Sequence, residues 1–115
     1  MEIKITAPID KETAKSLKAG DVICLWGNLG VGKTAFAGGL SKGLGVTEYI
    51  SSPTFTVVNC YEGTLPVYHF DVYRISDSEE MYEIGYEEYV YGDGVSIIEW
   101  PELIEDILPE ERYDV

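Results

Sequence analysis

A chain of 115 residues suffices for one domain with a real core, and is small for a nucleotide enzyme. The formal charge of −13 argues against strong direct nucleic-acid binding, which needs basic surface, and fits a chain that meets basic protein surfaces or simply stays soluble. Cys24 and Cys60 stand far apart with no C-x-x-C pairing, which argues against zinc and a disulfide framework.

Both cysteines fall in apolar runs and read as buried small hydrophobes of a reducing compartment. No signal peptide or membrane-length apolar run is visible, so the expected location is cytoplasmic.

Taken in order, Met1 to Thr6 alternates weakly through Ile3 and Ile5 and predicts an edge strand, broken by Pro8. Asp10 to Leu17 predicts a short helix, with Asp10 as cap and Lys18-Ala19-Gly20 as stop. Val22 to Trp26 is a continuous apolar run, the pattern of a strand buried on both faces. Directly after it, Gly27-Asn28-Leu29-Gly30-Val31-Gly32-Lys33-Thr34 matches G-x-x-x-x-G-K-[ST], the phosphate-binding P-loop. Phe36, Leu40 and Leu44 then recur at helical spacing, with Gly43 and Gly45 as stops.

Strand, glycine loop and helix in that order give the motif its mechanism. Glycines let the backbone approach a ligand closely, successive N–H groups cradle phosphate oxygens, and the helix N-terminus adds partial positive charge. Asn28, Leu29, Gly30, Val31, Gly32, Lys33, Thr34 and Ala35 are the expected nucleotide cradle. Within it, Lys33 bridges terminal phosphates and the Thr34 hydroxyl ligates Mg²⁺.

Ser51-Ser52-Pro53-Thr54-Phe55-Thr56 precedes the next strand-like run, Thr56 to Tyr61. It reads equally as a segment sensing γ-phosphate and Mg²⁺ and as an ordinary loop. Glu62 to Pro66 predicts a hairpin turn, and Val67 to Val72 a strand with Asp71 near its end. A carboxylate there, beside a P-loop, is where a metal-holding or water-orienting acid is expected. His69, the only histidine, reads by default as a packed or hydrogen-bonded structural residue; Arg74 reads as the partner of a local carboxylate or as a phosphate contact, the first slightly preferred.

Ser76-Asp77-Ser78-Glu79 fits a capping box opening one acidic helix through about Tyr89, with Met81, Ile84, Tyr82, Tyr86 and Tyr89 spaced for burial. The acidic neighbours Glu83, Glu87 and Glu88 favour packing over a base-stacking platform for these tyrosines. Gly92-Asp93-Gly94 predicts a turn, and Val95 to Ile98 a second buried strand ending in Glu99-Trp100-Pro101. An acid closing an apolar strand is the Walker B arrangement, in which Glu99 orients the attacking water or holds Mg²⁺ through water. Glu102 to Leu108 predicts a short helix ended by Pro109, and Arg112 to Val115 the start of a strand.

The P-loop, Ser52-Pro53-Thr54-Phe55-Thr56, His69-Phe70-Asp71-Val72-Tyr73-Arg74, Glu83-Ile84-Gly85 and Glu99-Trp100-Pro101-Glu102, in this order, resemble the TsaE (YjeE) family. That family comprises the bacterial ATPases of tRNA threonylcarbamoyladenosine modification. The P-loop is shared by many families; the other segments are far more specific, and the likeness covers nearly the whole chain. It implies a single P-loop α/β domain over 1–115, with a parallel core sheet, added antiparallel strands and flanking helices. It implies Mg²⁺-dependent ATP hydrolysis in support of TsaD and TsaB, the subunits that attach threonylcarbamoyl to adenosine 37 of tRNA. Carried over by motif, Lys33 and Thr34 bind phosphate and Mg²⁺, and Thr54 occupies the switch-like segment. Asp71 and Glu99 are the functional acids, Glu99 also toward the metal, and Trp100 sits beside the nucleotide. Asn28 stands where many members have Asp. The chain also stops near the point where members add further strand and tail, leaving a naturally short member and a truncated chain as alternatives.

Two other functions share the P-loop. A small-molecule kinase needs a basic lid, for which Arg74 and Arg112 are the only arginines, and a nucleotide-sensing module needs no hydrolysis. A GTPase is disfavoured by the lack of an Asn-Lys-x-Asp segment.

Overall fold

The computed structural model describes residues 2–4, 16–26, 38–47, 57–73 and 75–114. Among them, β1 (Glu2–Lys4), β2 (Val22–Leu25), β3 (Val58–Glu62), β4 (Pro66–Asp71), β5 (Val95–Glu99) and β6 (Arg112–Asp114) form one sheet in the order β1-β6-β2-β5-β4-β3. Every neighbouring pair is parallel except the β3–β4 hairpin. The α/β class with a parallel core therefore holds, with one antiparallel strand added among the described residues.

The central position of β2 and β5 follows from their sequences. Every residue of both is buried, which unalternating apolar strands achieve only with both sheet faces covered. On one face, Ile23, Leu25, Val67, Val95 and Ile97 pack with Leu40 and Leu44, from the helical turn at 38–43 and its end. On the other, Val22, Cys24, Phe70 and Ile98 pack with Met81, Tyr86, Val90 and Ile104. The 38–43 helix ends at Gly45, not Gly43. Gly45 has φ +85°, and the Val46 N–H reaches back to Ser41 O at 3.0 Å, closing a Schellman-type cap.

Three expectations about the helices' backbone change. The single acidic helix is two short ones, Glu79–Glu83 and Tyr86–Val90, because Gly85 at φ +82° reverses the backbone between them. The capping box is also rearranged: Ser78 makes no side-chain cap bond. Instead the Glu80 carboxylate accepts from the N–H groups of Ser76 and Asp77, and Asp77 Oδ1 accepts from Glu79 N–H. Glu102 to Leu108 is instead a 3-10 segment, Pro101–Ile107, kinked at Ile104.

Cys24 is buried as expected, whereas Cys60 is exposed, because β3 is the sheet's edge strand. Of the helix tyrosines, Tyr86 is core and Tyr82 is exposed. Burial pushes the Tyr86 phenol well above its ordinary value, and burial with the hydrogen bond to Asp93 takes that of Tyr68 up to about 12. Both phenols are therefore uncharged at neutral pH. The predicted helix at 10–17 lies almost wholly outside the described residues.

Candidate functional site

The parallel register brings three strand ends level. Leu25, the last residue of β2, pairs with Glu99, the last of β5, and Glu99 pairs with Asp71, the last of β4. Register partners on parallel strands share a face, and side chains alternate with a period of two. Asp71 and Glu99 therefore lie on the face of Leu25 and Ile97, the one on which Leu40 and Leu44 pack. Two acids about thirty residues apart in sequence thus become neighbours at the carboxyl edge of the sheet, where open α/β sheets bind ligands.

Their surroundings differ. Asp71 is half-buried, and its Oδ1 accepts from the Tyr73 N–H at 3.1 Å, an Asx turn that holds the carboxylate over its own strand end. Glu99 is only 3 % exposed, and its Oε2 meets Nε2 of His69, a fully buried residue. The residues that follow the acids also converge: the Tyr73 and Trp100 rings lie 4.9 Å apart. Trp100 takes φ 65°, the one positive φ among the described non-glycine residues, at a strain on the order of 1–3 kcal/mol. A bulky residue held there directly after Glu99 turns the chain sharply at the strand end.

On the far side of β2, Trp26 Nε1–H donates to Asp114 Oδ1 at 2.7 Å, and Arg112 Nε donates to the same oxygen at 3.0 Å. Arg112 also donates to Pro109 O, so this arginine is committed to the β6 end of the sheet.

Of the residues expected at the site, Asp71, Glu99 and Trp100 are brought together. Asn28, Leu29, Gly30, Val31, Gly32, Lys33, Thr34, Ala35, Thr54 and Arg74 lie outside the described residues. The chain leaves β2 at Trp26, level with the acids, and is next described in the 38–43 helix packed on their face of the sheet.

The donor set suits Mg²⁺ held together with phosphates. Among the described residues no group of three or more His, Cys, Asp or Glu forms a metal cage. Two hard carboxylates at one edge are what a magnesium–nucleotide site supplies, the rest coming from water and phosphate.

His69 is buried and hydrogen-bonded, as its sequence reading expects. It stands two residues before Asp71 and so shares its face. Its contact with Glu99 depends on the β4–β5 register, which no local pattern specifies.

Comparison with known proteins agrees with this geometry. The family model described as "Threonylcarbamoyl adenosine biosynthesis protein TsaE" matches residues 2–115. The chain is 49 % identical over 111 residues to the tRNA threonylcarbamoyladenosine biosynthesis protein TsaE of Bacillus subtilis (strain 168), covering 96 % of this chain and 69 % of that one. It is 50 % identical over 94 residues to the protein of the same name from Treponema pallidum (strain Nichols), covering 82 % and 70 %. The crystal structure of Bacillus subtilis YdiB superposes with a TM-score of 0.74 at 45 % identity over 90 % of this chain. The chain spans 63 % of that solved chain's length.

Proposed function

The chain belongs to the TsaE family, and from that premise we propose that it is a Mg²⁺-dependent P-loop ATPase. It supports, in the cytoplasm, the complex that attaches threonylcarbamoyl to adenosine 37 of tRNA, with TsaD and TsaB as its partners. The observation that carries the reading is the level alignment of Leu25, Glu99 and Asp71. It sets two carboxylates beside the strand from which the G-x-x-x-x-G-K-T segment departs.

In this reading the backbone N–H groups from Asn28 to Ala35 and the Lys33 ammonium bind the phosphates. Thr34 and Glu99 would hold Mg²⁺, with Asp71 beside them, and the ion would supply neutralisation of charge on the phosphoryl group. The carboxylates orient the attacking water and receive its proton. Thr54 contributes from the switch-like segment, and Trp100, turned out of β5 by its left-handed backbone, flanks the nucleotide.

Cations are scarce in this arrangement. Arg112 is engaged with Asp114 and Pro109, which leaves Lys33 and Arg74 as the candidates to offset phosphoryl charge. Slow turnover until a partner completes the site is the expected consequence. The test is steady-state ATP hydrolysis by the chain alone and with the TsaD–TsaB pair, across a salt series. The expected result is a low basal rate raised by the pair, with association weakening as salt rises. An unchanged rate with no complex at low salt would remove this reading. A phosphorylated small acceptor would replace it with a kinase.

A further inference from the structure

We propose that His69 is a positioning residue for Glu99, fixing that acid for ATP hydrolysis; the role rests on the function proposed above. His69 pairs in register with Ile97, and Glu99 lies two residues further along β5 on the same face. The imidazole therefore reaches diagonally across the strand pair to Glu99 Oε2. A carboxylate acting as acceptor needs a donor, so in this proposal the ring proton of the contact sits on Nε2. Nδ1 is buried and has no partner among the described residues, where the bond to Glu99 is what orients the ring by hydrogen bonding.

The burial decides between a structural and a positioning role. His69 is 0 % and Glu99 3 % exposed. An apolar pair of similar volume would close this strand end without desolvating a carboxylate or stranding a ring nitrogen. The polar pair ties Oε2 to a buried ring, which an apolar pair cannot do. A solvated glutamate at a strand end samples several rotamers, and one tied in this way presents a single orientation.

His69 is the only histidine in the chain, so ring-nitrogen NMR of nucleotide-free protein labelled with ¹⁵N-histidine reads it directly. The expected spectrum carries the proton on Nε2, with an Nε2 signal that moves in Glu99→Gln. A proton on Nδ1, or a spectrum indifferent to Glu99→Gln, overturns the contact and the proposal with it. The role is read by turnover in the presence of the TsaD–TsaB pair. His69→Phe keeps an aromatic ring and removes the donor; kcat should fall about ten- to a hundredfold with Mg-ATP affinity nearly unchanged. His69→Gln restores an N–H at about the reach of Nε2 and should recover most of the loss.

Thermal midpoints of the nucleotide-free variants separate positioning from packing. If both variants lose activity in step with their thermal midpoints and Gln rescues nothing, the role is structural and the proposal falls. If His69→Phe turns over like the wild type, the proposal falls and the ATPase reading stands. A wild type that hydrolyses no ATP even with the pair removes the ATPase reading, and the positioning role with it.

Discussion

Two sets of carboxylates in this molecule contrast. Asp71 and Glu99 close adjacent strands at one edge of the sheet. Glu79, Glu80, Glu83, Glu87 and Glu88 line the two short helices whose Met81, Tyr86 and Val90 pack on the opposite face. All five helical acids are exposed, whereas Glu99 is buried against one imidazole. The same functional group thus does two different things. In water a carboxylate is screened, mobile and nearly interchangeable with its neighbours, and contributes chiefly to the charge of −13. At the end of a buried strand it has lost solvent and rotational freedom, and what remains is one orientation toward whatever occupies the edge. The number of acids in a chain therefore says little about chemistry, and the backbone site of each says a great deal.

The sharpest way to break this comparison is to remove charge without removing shape. Glu99→Gln should cut partner-stimulated ATP hydrolysis by about a hundredfold or more, roughly 2.7 kcal/mol of barrier, with Asp71→Asn close behind. Nucleotide binding, followed by calorimetry, should survive better than turnover, above all in Glu99→Gln. Normal rates in both variants would mean that the strand-end acids are no different from the helical ones.

A smaller effect is expected from the hinge of the acidic side. In Gly85→Ala the added Cβ makes only an ordinary van der Waals contact, 3.7 Å from Glu88 Oε2, so the cost comes from φ +82°. About 1–2 kcal/mol of lost stability is expected, read by denaturant titration, with little change in turnover per folded molecule. A variant as stable as the wild type would show that the break between the helices is not enforced by the backbone.

The smallest effect belongs to the solvated set. Glu87→Gln should change stability by less than about 0.5 kcal/mol and leave isolated turnover unaltered. Any effect should be confined to association with a basic partner at low salt, measured by titration across ionic strength.

The strand ends that carry Asp71 and Glu99 were legible because their signals are local. The apolar runs before Gly27 and Glu99 announced buried strands, since an unalternating stretch makes sense only with both faces covered. Asp71 and Glu99 stood out because each closes such a run. The helix boundaries were less legible. Spacing from Met81 to Tyr89 suits one continuous helix, and the left-handed turn at Gly85 overrides it. The exposure of Cys60 was hidden for a related reason: an edge strand and a central one can carry similar residues, and only strand order distinguishes them.

By itself the sequence determined the α/β class, the G-x-x-x-x-G-K-T match directly after an apolar run, and the place of two acids at strand ends. Each depends on periodicity or spacing within a few residues. Only the tertiary structure decided that Leu25, Glu99 and Asp71 end level, that the Tyr73 and Trp100 rings meet, and that His69 holds Glu99. These are relations between strands, set when register brings together residues far apart in the sequence. A slip of one residue would send every side chain of a strand to the other face without altering any local pattern.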